Sequence, residues 1–313
     1  MTIVVNPASR AKEWMAALTE QLPNESLFLW PQVGDPARVE YVLAWQMAAD
    51  DLAGFPNLAA VFSLGAGVDQ WLPLAEDERL ADVTIVRLVD PAVSDEMAAY
   101  ALHWVLHYQR RFDQMAALQQ QRQFTQPDYV EAADFAVGIL GYGNIGRRVG
   151  EAFTTLGYPI NAWSRTLHHD QPDPSIDHYA GLEELNDFLS ASQAVVNVLP
   201  NTAETTGLLS PDRLDAFADG AVFVNMGRGT VVREADLLAA LDNGPLRVAV
   251  LDVTEPEPPP PSSPLFDHPN VVLTGHTAGV TLIPSASRII AANIKRLRRG
   301  EEPYPVVDAG RGY

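Results

Sequence analysis

The sequence predicts an α/β fold made of two doubly wound domains, each built on a parallel sheet. Short apolar or β-branched runs alternate with stretches of helical periodicity along most of the 313 residues. Such alternation is typical of a parallel sheet with helices on its faces. A glycine-rich turn near residue 141 starts a second series of the same kind. With 47% hydrophobic residues, the chain can form two ordinary cores.

The first series begins at the N-terminus. Ser9 is the expected N-cap of a helix over residues 9–21, because its hydroxyl can accept a backbone N–H. From residue 95 to residue 123, apolar side chains recur at three- and four-residue spacing, which predicts one long helix. The predicted strands lie near residues 2–5, 26–30, 41–45, 58–64 and 84–88.

The second series opens with the run FAVGILGYGNIG, from Phe135 to Gly146. A predicted strand leads directly into Gly141, Gly143 and Gly146, a G-x-G-x-x-G at the start of a predicted helix. In that context, backbone N–H groups and the positive helix end can bind a pyrophosphate. A glycine-rich turn in an unrelated α/β protein is the alternative. Further strands are expected near 160–163, 194–198, 221–225, 247–251 and 271–273, followed by a helix over 285–299.

The end of the second strand in this series bears on cofactor choice. NAD-binding folds place an Asp or Glu about 20 residues after the glycines, where it bonds the ribose 2′-hydroxyl. This chain has Ser164, Arg165 and Thr166 there instead. A guanidinium and two hydroxyls suit a 2′-phosphate, which a carboxylate would repel. The sequence therefore predicts NADP(H), unless Arg165 is only an exposed loop residue.

Composition excludes several classes of function. The formal charge is −19, from 21 basic and 40 acidic residues, which disfavours binding to nucleic acid or to an anionic membrane. Without cysteine there is no disulfide, thiol nucleophile or Cys-ligated zinc, and no metal site is expected. The N-terminus reads as a strand rather than a signal peptide, and no apolar run is long enough to span a membrane. A soluble cytoplasmic protein is expected.

Three polar residues near predicted strand ends are candidates for catalysis. Arg228 lies between two glycines, Glu257 lies in a proline-rich acidic loop, and His276 follows the last strand. Ligands bind at the carboxyl ends of parallel strands, and the flanking glycines would keep the surroundings of Arg228 open. Each residue also has an ordinary reading: a surface charge, a solvated loop acid and a hydrogen-bonded core histidine.

In this order behind the glycine motif, the residues resemble the D-isomer-specific 2-hydroxyacid dehydrogenase family. The family motifs N-x-x-R-G, D-V-x-x-x-E-P and T-P-H correspond to residues 225–229, 252–258 and 274–276, with Gly275 in place of the proline. The resemblance covers nearly the whole chain. The runs SLGAGVD, QRRFD, WSR and GRGY (63–69, 109–113, 163–165 and 310–313) are most similar to members that reduce glyoxylate and hydroxypyruvate.

The resemblance implies NADPH-dependent reduction of small 2-oxo acids, to glycolate or D-glycerate in those two cases. Arg228 would bind the carboxylate and polarise the carbonyl, His276 would donate the proton, and Glu257 would orient His276. Besides Arg228 and His276, the substrate would contact Trp45, Leu64, Gly65 and Ala66. The cofactor would be held by Gly141, Gly143, Asn144, Ile145, Gly146, Ser164, Arg165, Thr166, Leu199, Pro200, Thr205, Met226, Gly227 and Asp252, the last at the nicotinamide carboxamide.

The expected architecture is a flavodoxin-like substrate domain, residues 1–99 plus 281–313, interrupted by a Rossmann cofactor domain, residues 100–280. The active site would lie in the cleft between them. A homodimer is expected through the helix of residues 95–123, which is rich in aromatic side chains. Two alternatives stay open: a dehydrogenase for another 2-hydroxyacid, such as D-3-phosphoglycerate or a bulkier 2-oxo acid, and a non-catalytic NAD(P)-sensing protein.

Overall fold

Both expected parallel sheets are present in the computed structural model, which describes residues 2–166, 175–308 and 310. The chain divides into a first unit, Met1–Val93 with Thr281–Tyr313, and a second unit, Ser94–Val280. The second unit is a continuous segment and the first is not. The predicted fold class, two doubly wound parallel-sheet domains, is confirmed.

The first unit contains five parallel strands in the order β2-β1-β3-β4-β5. This is the flavodoxin-like order, in which the chain reverses direction next to β1 and β3. The strands are β1 (Thr2–Asn6), β2 (Ser26–Leu29), β3 (Val39–Ala44), β4 (Ala60–Ser63) and β5 (Thr84–Val86). The helices that begin in this unit are α1 (Ala11–Gln21), α2 (Ala49–Ala53), α3 (Pro91–Gln109), which continues into the second unit, and α9 (Ile283–Arg298).

The C-terminal part of the chain completes the first unit in two places. Helix α9 packs with α1, and its Ile290 and Ile294 join Ile3 and Leu18 in one buried cluster. Beyond α9, Val306 pairs antiparallel with Val86 at the edge of the sheet. The amide of Arg87 donates to the carbonyl of Pro305 at 2.9 Å. This sheet edge is therefore covered by the end of the chain.

The second unit contains a seven-stranded parallel sheet in the order β12-β11-β10-β9-β6-β7-β8. Counted within the unit this is 3-2-1-4-5-6-7, the Rossmann order with one additional strand. The strands are β6 (Val137–Leu140), β7 (Ile160–Ser164), β8 (Ile176–Ala180), β9 (Ala194–Asn197), β10 (Ala221–Asn225), β11 (Leu246–Leu251) and β12 (Val271–Leu273). The helices are α4 (Phe112–Gln120), α5 (Asn144–Thr155), α6 (Leu185–Ser190), α7 (Pro211–Leu214) and α8 (Glu234–Asn243).

Three elements differ from the sequence prediction. Ser9 does not cap α1: the N-cap is Arg10, in a left-handed conformation with φ 55° and no side-chain cap. The predicted helix over 95–123 is two helices, α3 and α4, separated at Arg111, which has φ 60°. Strand β8 was not predicted, because its sequence IDHYA lacks a continuous apolar run. Across the described residues, none of the helices is both long and apolar enough for a transmembrane segment.

Candidate active site

The glycine-rich turn joins β6 to the N-terminus of α5. The N-cap is Gly143, which makes no side-chain cap, so the first-turn N–H groups of α5 are directed at the space beyond the helix end. A Cβ on Gly146 would lie 2.1 Å from the Gly141 carbonyl oxygen, whereas a Cβ on Gly143 would meet nothing within 4 Å. The turn therefore packs closely against its own backbone at Gly146 and leaves open space at Gly143, as a bound pyrophosphate requires.

The predicted 2′-phosphate site lies at the end of β7. The Ser164 hydroxyl donates to the carbonyl of Thr166 at 2.8 Å. The Arg165 guanidinium forms an ion pair with Glu204 at 2.5 Å, and the two side chains are 46% and 62% exposed. The pair is thus open to solvent. No sequence motif predicted Glu204, which lies 39 residues away on the segment that follows β9.

That segment carries the predicted cofactor residues Leu199, Pro200 and Thr205. The Thr205 hydroxyl donates to the carbonyl of Pro200 at 2.7 Å and accepts the amide of Thr202 at 2.8 Å. The Leu199 side chain lies 3.1 Å from the position of a Cβ on Gly141. The structure therefore brings these residues beside the glycine-rich turn and Arg165.

Arg228 follows β10 and is held through its backbone. A buried amide, Asn225, donates to the Arg228 carbonyl at 3.0 Å and accepts from Asn197 at 2.8 Å. A Cβ on Gly229 would lie 2.1 Å from the carbonyl carbon of Thr254, which belongs to the loop that carries Glu257. The reading that the glycines keep the surroundings of Arg228 open was wrong. Gly229 allows two loops to pack closely, and a Cβ on Gly227 would lie 2.7 Å from the Leu199 carbonyl oxygen.

Glu257 and His276 form a direct pair. Nδ1 of His276 lies 2.5 Å from Oε1 of Glu257, and the side chains are 43% and 39% exposed. A carboxylate accepts hydrogen bonds, so Nδ1 carries the proton that it shares with Glu257. In the described part of the chain Nε2 has no hydrogen-bond partner, and it remains accessible to a ligand.

The turn that carries His276 is organised by Asp252, which is only 4% exposed. Its Oδ1 accepts the hydroxyl of Thr274 at 2.6 Å and the amide of Thr277 at 2.8 Å. Its Oδ2 accepts the amide of Ala278 at 2.9 Å, and its carbonyl accepts the amide of His276 at 2.9 Å. Asp252 was predicted to bind the cofactor; Oδ2 retains a lone pair for that purpose, but most of its contacts hold this turn.

The predicted substrate residues of the first unit lie after β3 and β4. The Leu64 amide donates to the Ala44 carbonyl and the Gly65 amide to the Ser63 hydroxyl. The backbone N–H groups of Ala66 and Gly67, in the same turn, have no hydrogen-bond acceptor in the described structure. The ring of Trp45, 40% exposed, lies 2.5 Å from the position of a Cβ on Gly65. Trp45 therefore covers this turn and is not a core residue.

No cluster of three or more metal-binding side chains occurs among the described residues. The donor set at the end of the second sheet consists instead of a guanidinium, a carboxylate–imidazole pair and the N-terminus of a helix. These groups suit an anionic organic substrate and a dinucleotide.

The family model for the NAD-binding domain of the D-isomer specific 2-hydroxyacid dehydrogenases matches residues 102–278. A glyoxylate/hydroxypyruvate reductase A from Salmonella paratyphi B is 42% identical over 99% of both chains. A D-isomer specific 2-hydroxyacid dehydrogenase from Xanthobacter autotrophicus, solved with NADPH and MES, superposes with a TM-score of 0.92 at 36% identity, covering 100% of this chain and 99% of that one.

An NADPH-dependent glyoxylate/hydroxypyruvate reductase from Sinorhizobium meliloti, solved with NADP and sulfate, superposes with a TM-score of 0.91 at 31% identity, covering 100% and 99% of the two chains. Fold, site and relatives define a nicotinamide-dependent oxidoreductase class. Within it, the chain belongs to the D-isomer specific 2-hydroxyacid dehydrogenase family. The family resemblance, including the similarity to the reductase A group, is confirmed.

Proposed function

We propose that this protein reduces small 2-oxo acids with NADPH, converting glyoxylate to glycolate and hydroxypyruvate to D-glycerate. The observation that carries the proposal is the 2.5 Å pair of His276 with Glu257, which leaves Nε2 of His276 without a partner in the described residues. The relatives named for these substrates and for NADPH support the same activity.

Arg228 is the proposed substrate-binding cation. A 2-oxo acid presents a carboxylate next to a carbonyl, and a guanidinium can bind both carboxylate oxygens while its charge polarises the carbonyl. The buried Asn225 fixes the backbone of Arg228, and Nη1 of Arg228 donates to the Gly227 carbonyl at 2.8 Å. Taken by itself, the turn after β4 in the first unit presents the amides of Ala66 and Gly67, which are donors of the kind that bind anions.

His276 is the proposed proton donor. Negative charge develops on the substrate oxygen during reduction, and an imidazolium N–H at Nε2 can neutralise it by general acid catalysis. The Glu257 carboxylate accepts the Nδ1 proton and thereby orients the ring. Glu257 acts through His276 and is therefore a positioning residue.

The proposed cofactor residues fit a dinucleotide phosphate. The α5 N-terminus would receive the pyrophosphate, and Ser164, Arg165 and Thr166 would receive the 2′-phosphate. When bound, NADPH supplies the hydride for the substrate carbonyl carbon. The closely packed side of the glycine-rich turn and the open space in front of Gly143 are the features that support this assignment.

We also propose an assembly state and a cellular location for the protein. The protein forms a homodimer through α3 and the segment after it, where Phe112 is 45% exposed and Phe124 fully exposed. It acts in the cytoplasm, since 2-oxo acids and NADPH are intracellular metabolites. Support for the dimer is the ring cluster on α3, with His103 and Trp104 at 4.7 Å and His107 and Tyr108 at 4.8 Å.

NADPH oxidation with glyoxylate and hydroxypyruvate tests the activity, and site variants test the roles. His276→Ala should lower kcat by roughly 10²–10⁴-fold, the usual contribution of general acid catalysis, with NADPH binding unchanged. Arg228→Ala should impair both KM and kcat, because binding and polarisation are lost together. Glu257→Gln should lower kcat and leave KM nearly unchanged, because a neutral amide is a weaker acceptor for the Nδ1 proton and orients the ring less firmly.

A folded His276→Ala protein with near-normal turnover would refute this mechanism. NADPH binding without turnover of any 2-oxo acid would favour the sensing protein instead, and a preference for phosphorylated or bulky substrates would favour another dehydrogenase.

A further inference from the structure

A hydrogen-bonded chain connects helix α3 to the turn of His276. The Tyr100 hydroxyl lies 2.6 Å from Oγ1 of Thr274, and this hydroxyl lies 2.6 Å from Oδ1 of Asp252. Tyr100 and Thr274 are 174 residues apart in the sequence. The three side chains belong to the second unit, and Asp252 is buried.

The direction of donation along this hydrogen-bonded chain follows from the chemistry of its last member, Asp252. An ionised carboxylate only accepts, so the Thr274 hydroxyl donates its single proton to Asp252. The same oxygen must then accept from Tyr100, whose phenol is the donor. Burial, with a smaller contribution from the Asp252 charge, raises the pKa of Tyr100 to about 12, so this donor stays protonated throughout the range in which an enzyme works.

The turn that carries His276, at the end of this hydrogen-bonded chain, has a backbone conformation that must be stabilised by surrounding contacts. His276 has φ 54°, in the left-handed region that costs an ordinary residue roughly 1–2 kcal/mol. Such residues persist where the surrounding contacts fix them. Gly275 precedes His276, and a Cβ placed there would meet nothing within 4 Å in the described structure. The family proline is absent at this position, so the rigidity must come from elsewhere.

We propose that Tyr100 and Thr274 are positioning residues for the His276 turn, acting through the carboxylate of Asp252. The carboxylate holds the amides of Thr277 and Ala278 directly, and the donated Thr274 hydroxyl keeps Oδ1 in place between them. The two hydroxyls thereby fix where Nε2 of His276 points. The proposal rests on the proposed role of His276 as proton donor.

Thr274→Val and Thr274→Ser separate the hydroxyl from the shape of the side chain. The valine variant should lower kcat for glyoxylate by roughly 10- to 100-fold, because small misplacement of a catalytic group has effects of that size. Its Kd for NADPH, measured by fluorescence titration, should stay within about threefold, since the glycine-rich turn is untouched. The serine variant keeps the hydroxyl and should retain most of the activity.

Tyr100→Phe provides an independent variant, with Tyr158→Phe as its matched control. Tyr158 is buried in the same unit, and its hydroxyl contacts Gln109 at 3.3 Å rather than the chain to Asp252. Tyr100→Phe should lower kcat at least threefold and speed hydrogen exchange at the amides of residues 276–278, whereas Tyr158→Phe should do neither.

Wild-type kcat in Thr274→Val, or equal losses in the valine and serine variants, would overturn the proposal. If Thr274→Val does not fold, Tyr100→Phe tests the positioning role instead, and an unchanged kcat in that variant would overturn the proposal. His276→Ala distinguishes the two levels of inference. If it is inactive while Thr274→Val is normal, only the positioning role fails, and if it keeps near-normal turnover, the proton-donor role of His276 fails. The proposed function itself fails only if the unchanged protein reduces no 2-oxo acid with NADPH.

Discussion

The charge of Arg165 already has a carboxylate next to it. Arg165 and Glu204 lie 2.5 Å apart, and both side chains are about half exposed. An exposed pair of this kind contributes little to stability, typically 0–1 kcal/mol. Its consequence concerns binding: a 2′-phosphate at Arg165 would share the guanidinium with Glu204. Cofactor selectivity at this position then depends in part on the charge of Glu204.

Ser164→Asp should reverse or abolish a preference for NADPH over NADH. The introduced carboxylate would repel the 2′-phosphate and could accept from a ribose 2′-hydroxyl. The measurement is kcat/KM with each cofactor, and Ser164→Asn is the matched control, since it has nearly the same size without the charge. Equal kcat/KM for the two cofactors in the unchanged protein would contradict the assignment.

Neutralising Glu204 is the opposite change at this site, because it removes a negative charge beside Arg165. Glu204→Gln should strengthen NADPH binding by a few-fold and leave NADH binding unchanged, because a neutral amide neither repels the phosphate nor holds the guanidinium as strongly. The effect should shrink as NaCl is raised from about 0.05 to 0.5 M, where surface charges are screened. An equal change in the affinity for both cofactors would show that Glu204 acts on the loop and not on the phosphate.

Among the secondary elements, the loops after β10 and β11 are in direct backbone contact. Gly229 makes this possible, since any side chain there would enter the Thr254 backbone at 2.1 Å. One loop carries Arg228 and the other carries Glu257. The relative placement of two candidate catalytic side chains thus depends on a residue that has no side chain.

Gly229→Ala should destabilise the protein by about 1–3 kcal/mol, the usual effect of overpacking, and should lower activity through displacement of the Glu257 loop. Gly275→Ala is the control, because its Cβ would meet open space and its φ is not left-handed. That variant should unfold at the same or a higher temperature, by about 0.4–1 kcal/mol of added stability. Thermal unfolding and glyoxylate turnover measure both effects, and similar behaviour of the two variants would exclude the packing argument.

Sequence periodicity predicted the strands that are continuous apolar runs, because burial on both faces requires such runs. It missed β8, whose side chains are mostly half-buried. It also missed the interruption at Arg111, since the apolar spacing continues from α3 into α4. The contact of Glu257 with His276 was expected from the motifs. The hydrogen-bonded chain from Tyr100 to Asp252 was not expected, because nothing in a linear sequence links residue 100 to residue 274.

For the molecule as a whole, net charge and aromatic surface act in opposite directions. The charge of −19 opposes association of identical chains. The aromatic side chains of α3 favour it, although Tyr100 and Tyr108 are used within their own unit, by Thr274 and by Arg247. His103, Trp104, His107 and Phe112 remain for the proposed interface between two copies of this chain.

Light scattering at micromolar concentration should give the mass of a dimer, and Phe124→Ser should shift it toward the monomer. Phe124 is fully exposed in the described structure and is therefore not a core residue there. Phe266→Ser is the matched control, at a side chain that is 55% exposed in a different segment. Dimer formation should tighten with added salt, as repulsion is screened. A monomer mass for the unchanged protein would refute the interface.

The return of α9 and of Val306 to the first sheet has a consequence for biosynthesis. A ribosome releases residues 94–280 as one uninterrupted segment, so the second unit has all of its strands before translation ends. The first unit lacks Ile290, Ile294 and the partner of Val86 until the residues up to Val306 have emerged. The strands of the first unit that are made earlier therefore have an unpaired edge and an incomplete core while the second unit folds. Exposed strand edges and apolar surface of this kind make a nascent chain prone to aggregation.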